Sequence, residues 1–309
     1  MLILLLLYPA MGFMPISGGS LVALVTPMNP GTNAIDHGAL KSLLEWHLES
    51  GTAGIVALGT TGEASTMTTE ERAAVLKTTT DTIGGKMPLI VGTGTIDTGV
   101  TIETTKRAKD CGADASLVVT PYYVKPPQRA LLAHFTAIAN AVDLPMILYN
   151  VPGRTASDLK TETVAQLSTH ERIIGIKDAT GELDRVPHLR ELCGADFLLL
   201  SGEDALSLDF VLAGGDGVIS VTANIAPAQM QELMLTAKSG NTDKAIELDS
   251  PLQGLHDKLF IEANPIPVKF ALARMGRIQS GIRLPLVELA KEYHPALESA
   301  ISDAGIVLR

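Results

Sequence analysis

Short apolar runs punctuate the chain, each rich in Val, Ile and Leu and each closing near Gly, Thr, Ser, Pro or Asn. They are Leu21–Thr26, Gly54–Gly59, Leu89–Gly94, Ser116–Pro121, Met146–Val151, Ile173–Asp178, Phe197–Gly202 and Gly217–Thr222. Most are apolar at consecutive positions, the pattern of parallel strands covered on both faces. The stretches between them carry helical spacing. Asp36–Ser50 sets Leu40, Leu43, Leu44, Trp46 and Leu48 on one side and stops at Gly51. Thr69–Ile83, Arg129–Ala141, Thr161–Leu167 and Val186–Leu192 read as further helices. The spacing leaves room for one helix and two loops per unit, which is the βα repeat.

Eight such units predict an α/β chain folded as a (β/α)8 TIM barrel. The rival is a doubly wound open sheet, which usually has fewer strands and a glycine-rich dinucleotide turn after the first. Here the first run is followed by Pro27-Met28-Asn29-Pro30, and the glycines of Gly92–Gly94 follow the third run without a third glycine. The barrel therefore takes residues 16–240. Residues 241–309 read as a C-terminal helical domain with helices at Asp243–Leu259, Pro267–Met275 and Leu286–Leu297, with Pro265 and Pro267 bracketing a break. Residues 1–15 form an extra apolar segment. Its run Leu2–Leu7 is too short for a membrane span and lacks the basic flank and cleavage site of a signal peptide. The expectation is an over-extended start, with the chain proper beginning near Met11 or Met14.

Composition narrows the function classes. In 309 residues, 46% are hydrophobic and 19% charged, which suits a globular chain. A net charge of −10 with no basic cluster argues against nucleic acid as a partner. Cys111 and Cys193 cannot build a disulfide framework, so the expected compartment is reducing, the cytoplasm. No membrane partner is expected, since no apolar stretch reaches the roughly 20 residues that cross a bilayer. The seven histidines show no metal-ligand spacing, no phosphate-loop motif occurs, and Ser201 has no neighbouring histidine to activate it.

Barrel chemistry sits where the strands end. Those ends carry mostly hydroxyls and a single amine. Of thirteen lysines only Lys177 lies inside an apolar strand run. An ammonium there is costly unless it is paired or gives up its proton. As a neutral amine it would attack a ketone and form an imine, an electron sink. The alternative is a structural ion pair with Asp178, Glu203 or Glu63. Asp178 is the poorest partner, because successive strand residues face opposite ways. Tyr149 ends the neighbouring strand and would shuttle protons; its alternative is a core aromatic. Thr60 and Thr61 would extend that relay or bind a carboxylate. Arg154, on the Pro152-Gly153 turn, would fork onto a substrate carboxylate; its alternative is a solvated loop arginine.

Four ordered motifs then carry a resemblance: Gly59-Thr60-Thr61-Gly62-Glu63, Thr120-Pro121-Tyr122-Tyr123, Tyr149 to Thr155, and Gly175-Ile176-Lys177-Asp178-Ala179-Thr180-Gly181. Ser201-Gly202-Glu203-Asp204 and Asn264 to Lys269 extend it. The chain closely resembles the dihydrodipicolinate synthase family, now described as 4-hydroxy-tetrahydrodipicolinate synthase, among the pyruvate-dependent class I aldolases. The resemblance implies a homotetramer built from tight dimers, acting in diaminopimelate and lysine biosynthesis. It implies that Lys177 forms a Schiff base with pyruvate, that Tyr149, Thr60 and Tyr123 relay protons, and that Tyr123 acts across the dimer. Thr61 and the backbone of Ile219 would bind pyruvate, Arg154 the carboxylate of L-aspartate 4-semialdehyde, and Gly202 would be a further substrate-binding residue. No metal and no organic cofactor are implied.

Two departures stand out. Asp178 follows the lysine where many relatives have Glu, which keeps the charge. Ile96 and Val100 replace the polar pair expected where lysine-inhibited relatives bind the inhibitor, with Ala64, Thr69 and Arg72 nearby and Tyr122 kept. Weak or absent lysine inhibition is the expectation. Competing readings are N-acetylneuraminate lyase or a keto-deoxy sugar acid aldolase, which usually lack the Arg154-Thr155 pair, and a non-catalytic barrel serving as a scaffold, which would be expected to lose Lys177 or Tyr149.

Overall fold

The computed structural model describes residues 12–309, so the run Leu2–Leu7 lies outside the described residues. Eight parallel strands close into a barrel in chain order. They are β1 (Gly19–Ala23), β2 (Gly54–Ala57), β3 (Leu89–Gly92), β4 (Ala115–Val119), β5 (Met146–Asn150), β6 (Ile173–Asp178), β7 (Leu198–Ser201) and β8 (Gly217–Ser220). Pairing of Gly19–Val22 with Gly217–Ser220 shuts the ring. Each of the eight apolar runs overlaps a strand, with β1 and β4 starting two and one residues before theirs. Most strands end before the run does, because the closing Gly, Thr and Ser residues leave the ladder and become the loops of the barrel mouth. Leu58, with φ +56°, turns the chain out at the end of β2.

Alternation along each strand divides the apolar residues between two compartments. Leu21, Ala23, Val56, Ile90, Leu117, Ile147, Leu200 and Ile219 fill the barrel interior. Val22, Ile55, Val91, Leu148 and Leu199 face outward and pack under the helices. Both faces are therefore dry.

One strand breaks the count. Met146 pairs with Ile173, but Ile147 pairs with Gly175, so β6 carries one extra residue at a bulge. Ile174 turns into the interior, while Ile173 and Ile176 both belong to the outer packing. Past the bulge, Tyr149 pairs with Lys177 and Asn150 with Asp178. Gly175 makes the crowded crossing: a Cβ there would lie 2.6 Å from Leu198 Cβ and from the Leu198 carbonyl oxygen.

The five expected barrel helices form at His37–Glu49, Thr69–Ile83, Gln128–Ala141, Thr161–Leu167 and Arg185–Cys193. Thr69–Ile83 starts with a capping box between Thr68 and Glu71. Three more helices complete the ring, at Thr98–Asp110, Ser207–Leu212 and Pro227–Lys238. The first buries Thr101, Thr105 and Ala108, so its inner face is hydroxyl-bearing and shows no apolar stripe.

Beyond the barrel, Asp243–Leu259 divides into Thr242–Asp249 and Gln253–Lys258, joined by a 3-10 turn at Ser250–Leu252 that contains Pro251. The next helix runs Ile266–Arg274, with Pro267 in its first turn. The expected helix Leu286–Leu297 is a correction. Residues 286–290 have no regular structure, Lys291–Tyr293 forms a 3-10 turn, and the helix is His294–Asp303. Pro295 decides this: it is tolerated only in a first turn, where no N–H is required.

Candidate active site

The strand ends enclose a cavity of about 370 Å³ lined by Lys177, Tyr149, Thr60, Thr61, Arg154, Gly202 and Ile219. These are seven of the eight residues singled out from the sequence. The eighth, Tyr123, lies outside it, 88% exposed and with φ +69°. Its backbone N–H donates to the Thr155 carbonyl oxygen (3.1 Å), which fixes the loop while the phenol projects from the surface.

Lys177 is 7% exposed, and its Nζ sits 4.4 Å from the centre of the Tyr149 ring. Among the described residues it has no ion pair with any of the three acids considered from sequence. Asp178 faces outward, taking Arg185 Nε at 3.0 Å and the Thr180 hydroxyl at 2.6 Å. Glu63, at φ +55°, pairs with the buried Lys269 and accepts from the Arg283 backbone N–H at 3.1 Å. Glu203 lines the cavity, yet no hydrogen bond to its carboxyl forms among the described residues. Burial pushes that carboxyl up; the Lys177 charge works against it. The bulge in β6 is what aims the Lys177 amine inward, and β5 delivers Tyr149 to its side by direct register.

Gly202 is fixed by the lysine. A Cβ on it would come 2.6 Å from Ala179 Cβ and 2.9 Å from Lys177 Cε, so only glycine lets the side chain lie across this strand end. Thr61 Oγ1 accepts from Asn264 Nδ2 at 2.9 Å, which links the barrel mouth to the C-terminal segment. Arg154 stands in the short helical turn Pro152–Thr155, closed by Ala156 at φ +55°. The Thr155 hydroxyl donates to the carbonyls of Val151 (3.1 Å) and Ser157 (2.9 Å), stiffening this turn. The Arg154 guanidinium has no protein partner among the described residues and lines the mouth.

Asn264 and Phe260 also line the cavity but had no role assigned from sequence, and Glu203, considered there only as an ion-pair partner for Lys177, lines it too. Asn264 stands in a motif quoted above, and only its place in a loop hid it: no periodicity marks a loop residue. At the far end, Arg72 donates to the Ala64 carbonyl oxygen at 2.7 Å, while its Nε is buried without a partner. Ile96 and Val100 are exposed. Among the described residues no three His, Cys, Asp or Glu side chains are grouped to hold a metal ion, and no helix is long and apolar enough to cross a membrane.

Comparison with known proteins shows the family. The model of the Dihydrodipicolinate synthetase family matches residues 16–304. A 4-hydroxy-tetrahydrodipicolinate synthase from Alcanivorax borkumensis is 52% identical over 289 residues, covering 94% of this chain and 98% of the relative. One from Teredinibacter turnerae is 50% identical, covering 94% of this chain and 99% of the relative. Among solved structures, a chloride-inhibited dihydrodipicolinate synthase from Acinetobacter baumannii, complexed with pyruvate, is 49% identical with a TM-score of 0.92, covering 94% of this chain and all of that one (100%). With a closed barrel, a buried unpaired lysine beside a tyrosine, and full-length relatives at such identity, the chain belongs to the dihydrodipicolinate synthetase family.

Proposed function

We propose that the chain is a 4-hydroxy-tetrahydrodipicolinate synthase, condensing pyruvate with L-aspartate 4-semialdehyde through a Schiff base on Lys177, in diaminopimelate and lysine biosynthesis. The observation that carries this is an amine buried in a cavity beside the Tyr149 ring, with no ion pair to an acid among the described residues. A lysine amine in that position can add to a ketone and form an imine. The Lys177 nitrogen adds to the pyruvate ketone, water leaves, and an imine remains. The positive imine withdraws electrons from the adjacent methyl group, which gives up a proton and becomes an enamine. The enamine carbon attacks the aldehyde. The amine of the new chain then displaces Lys177 and closes the ring. Imine chemistry of this kind supplies its own electron sink, so the reading assigns no metal and no organic cofactor.

Tyr149 stands against the reacting nitrogen and handles the protons of imine formation, with Thr60 next in the relay. Thr61 and the backbone of Ile219, in β8, hold pyruvate, and Gly202, after β7, contributes to substrate binding. Arg154 receives the carboxylate of the aldehyde substrate by a two-pronged contact. Tyr123, projecting from its own cavity's surroundings, completes the relay of a second copy in a tight dimer, and two dimers make a homotetramer. The reading places the enzyme in the cytoplasm.

The test is borohydride reduction with pyruvate, read by mass spectrometry. A reduced pyruvate adduct on the native protein, absent in Lys177→Ala, is the expected outcome. No adduct on the native chain would leave a non-catalytic barrel, and turnover of sialic acid or keto-deoxy sugar acids in preference to aspartate semialdehyde would replace the substrate.

A further inference from the structure

In the proposed condensation, on which this inference rests, Thr60 and Thr61 serve the pyruvate half of the reaction. Their turn is bracketed by two residues in the left-handed region, Leu58 at φ +56° and Glu63 at φ +55°. Both carry a Cβ, so this backbone is unfavourable at each end and persists only where its surroundings impose it. Within the turn the Gly62 N–H donates to the Gly59 carbonyl oxygen and the Glu63 N–H to that of Thr60, each at 3.1 Å. The barrel adds the Thr26 hydroxyl, which donates to the Gly62 carbonyl oxygen at 2.8 Å.

The C-terminal segment supplies the rest of the grip. Lys269, in the helix Ile266–Arg274, pairs its Nζ with Glu63 Oε1, and both side chains are buried. The Arg283 backbone N–H donates to Glu63 Oε2 at 3.1 Å, and Asn264 Nδ2 holds Thr61 Oγ1 at 2.9 Å. The Arg283 guanidinium anchors that segment in turn, donating to the carbonyl oxygens of Asn33 (2.8 Å) and Thr66 (3.0 Å) and to the Glu71 carboxylate (2.9 Å). Stability alone does not account for the buried pair. Two charges taken out of water lose about as much as their attraction returns, and apolar side chains of similar volume often serve a core as well. Nor does the pair face substrate, since neither Glu63 nor Lys269 lines the cavity. A directed contact at the strained end of a turn does fix where the two hydroxyls before it point.

We propose that Glu63 and Lys269 are positioning residues, whose buried ion pair holds Thr60 and Thr61 against the pyruvate site. The C-terminal segment thereby sets how well the first half of the reaction runs. The second half does not depend on this grip. Arg154 stands on another turn, Pro152–Thr155, which is stiffened by its own Thr155 hydroxyl.

Replacing one partner would strand a buried charge, so both are replaced together, Glu63→Gln with Lys269→Met. Volumes are kept, and the new amide still accepts from the Arg283 N–H. In a reaction with a covalent intermediate, kcat/KM for each substrate reads its own stage. For pyruvate it should fall about 10- to 100-fold in the double variant, the loss expected for one hydrogen bond to a charged group. For L-aspartate 4-semialdehyde it should be unchanged. Borohydride trapping at saturating pyruvate should still label Lys177, and circular dichroism and melting temperature should stay close to native. Lys269→Met alone should show the same fall for pyruvate with a lower melting temperature. An unchanged kcat/KM for pyruvate in the double variant, an equal fall for both substrates, or loss of its fold would each overturn the assignment. Absence of the pyruvate adduct on the native protein would instead overturn the condensation itself.

Discussion

At the scale of single residues, the site depends on what is missing as much as on what is present. Gly202 has no side chain, and the Lys177 chain occupies the space a methyl would take, with Cε only 2.9 Å from that position. Gly202→Ala should leave the barrel folded, yet displace the lysine. Misplacement of a nucleophile by about 1 Å costs roughly 100-fold, so kcat should fall by that order while far-ultraviolet circular dichroism stays native. Unaltered turnover would mean that the lysine reaches pyruvate from another path. Lys177 was legible in the sequence as a cation inside an apolar run, but a structural ion pair stayed open as its alternative; the structure engages Asp178 and Glu63 elsewhere. Arg154 and Thr61 were legible only as candidates. Asn264 was not, and Glu203 only as a possible ion-pair partner, because a loop gives them no periodic frame and their meaning comes from the cavity they face.

At the scale of elements, strands were easier to read than helices. Both faces of the sheet are dry, so each strand is a run of Val, Ile and Leu. The helix Thr98–Asp110 hides its identity because threonines form its inner face, with Thr105 and Thr93 joined through their hydroxyls at 2.9 Å. Residues 286–297 misled in the opposite direction: Leu286 and Leu289 pack against the core without a helix around them, and Pro295 marks a beginning instead of an interior. Two helices also bear on regulation. Thr69–Ile83 contributes Arg72 to the cavity, and Thr98–Asp110 presents Val100 to solvent; neither lines the cavity with a carboxylate. A lysine molecule approaching there would set its amine against a guanidinium. Millimolar lysine is accordingly expected to leave the steady-state rate almost unchanged, and strong inhibition would contradict this.

For the whole molecule, stability should depend on buried imidazoles. His47, in the helix His37–Glu49, is buried with Nδ1 2.9 Å from the Thr52 hydroxyl. Burial, helped by Arg277, lowers it to about 3, and burial lowers His134 to about 4. Both stay neutral in the fold at pH values where the unfolded chain, near 6.5, already binds protons. Their contribution to stability is thus complete above about pH 6.5 and is lost as the pH falls toward 3, by up to about 1.4 kcal/mol per pH unit for each group. Denaturation at pH 7 and pH 5 should show the native protein losing more stability than His47→Gln over the same interval. Equal losses would exclude the imidazole as a source.

The spare residue in β6 has a wider meaning. Packing and reactivity are counted along the same six positions, and they disagree by one: the isoleucines obey the needs of the hydrophobic layer, while the amine obeys the needs of the chamber. A chain with the same letters around its lysine but without that irregular step would bury the amine beneath the helices, sealed from any keto acid. Recognition of the lysine motif alone therefore understates what descent has to preserve. The offset upstream is as much a part of the catalyst as the nitrogen it turns.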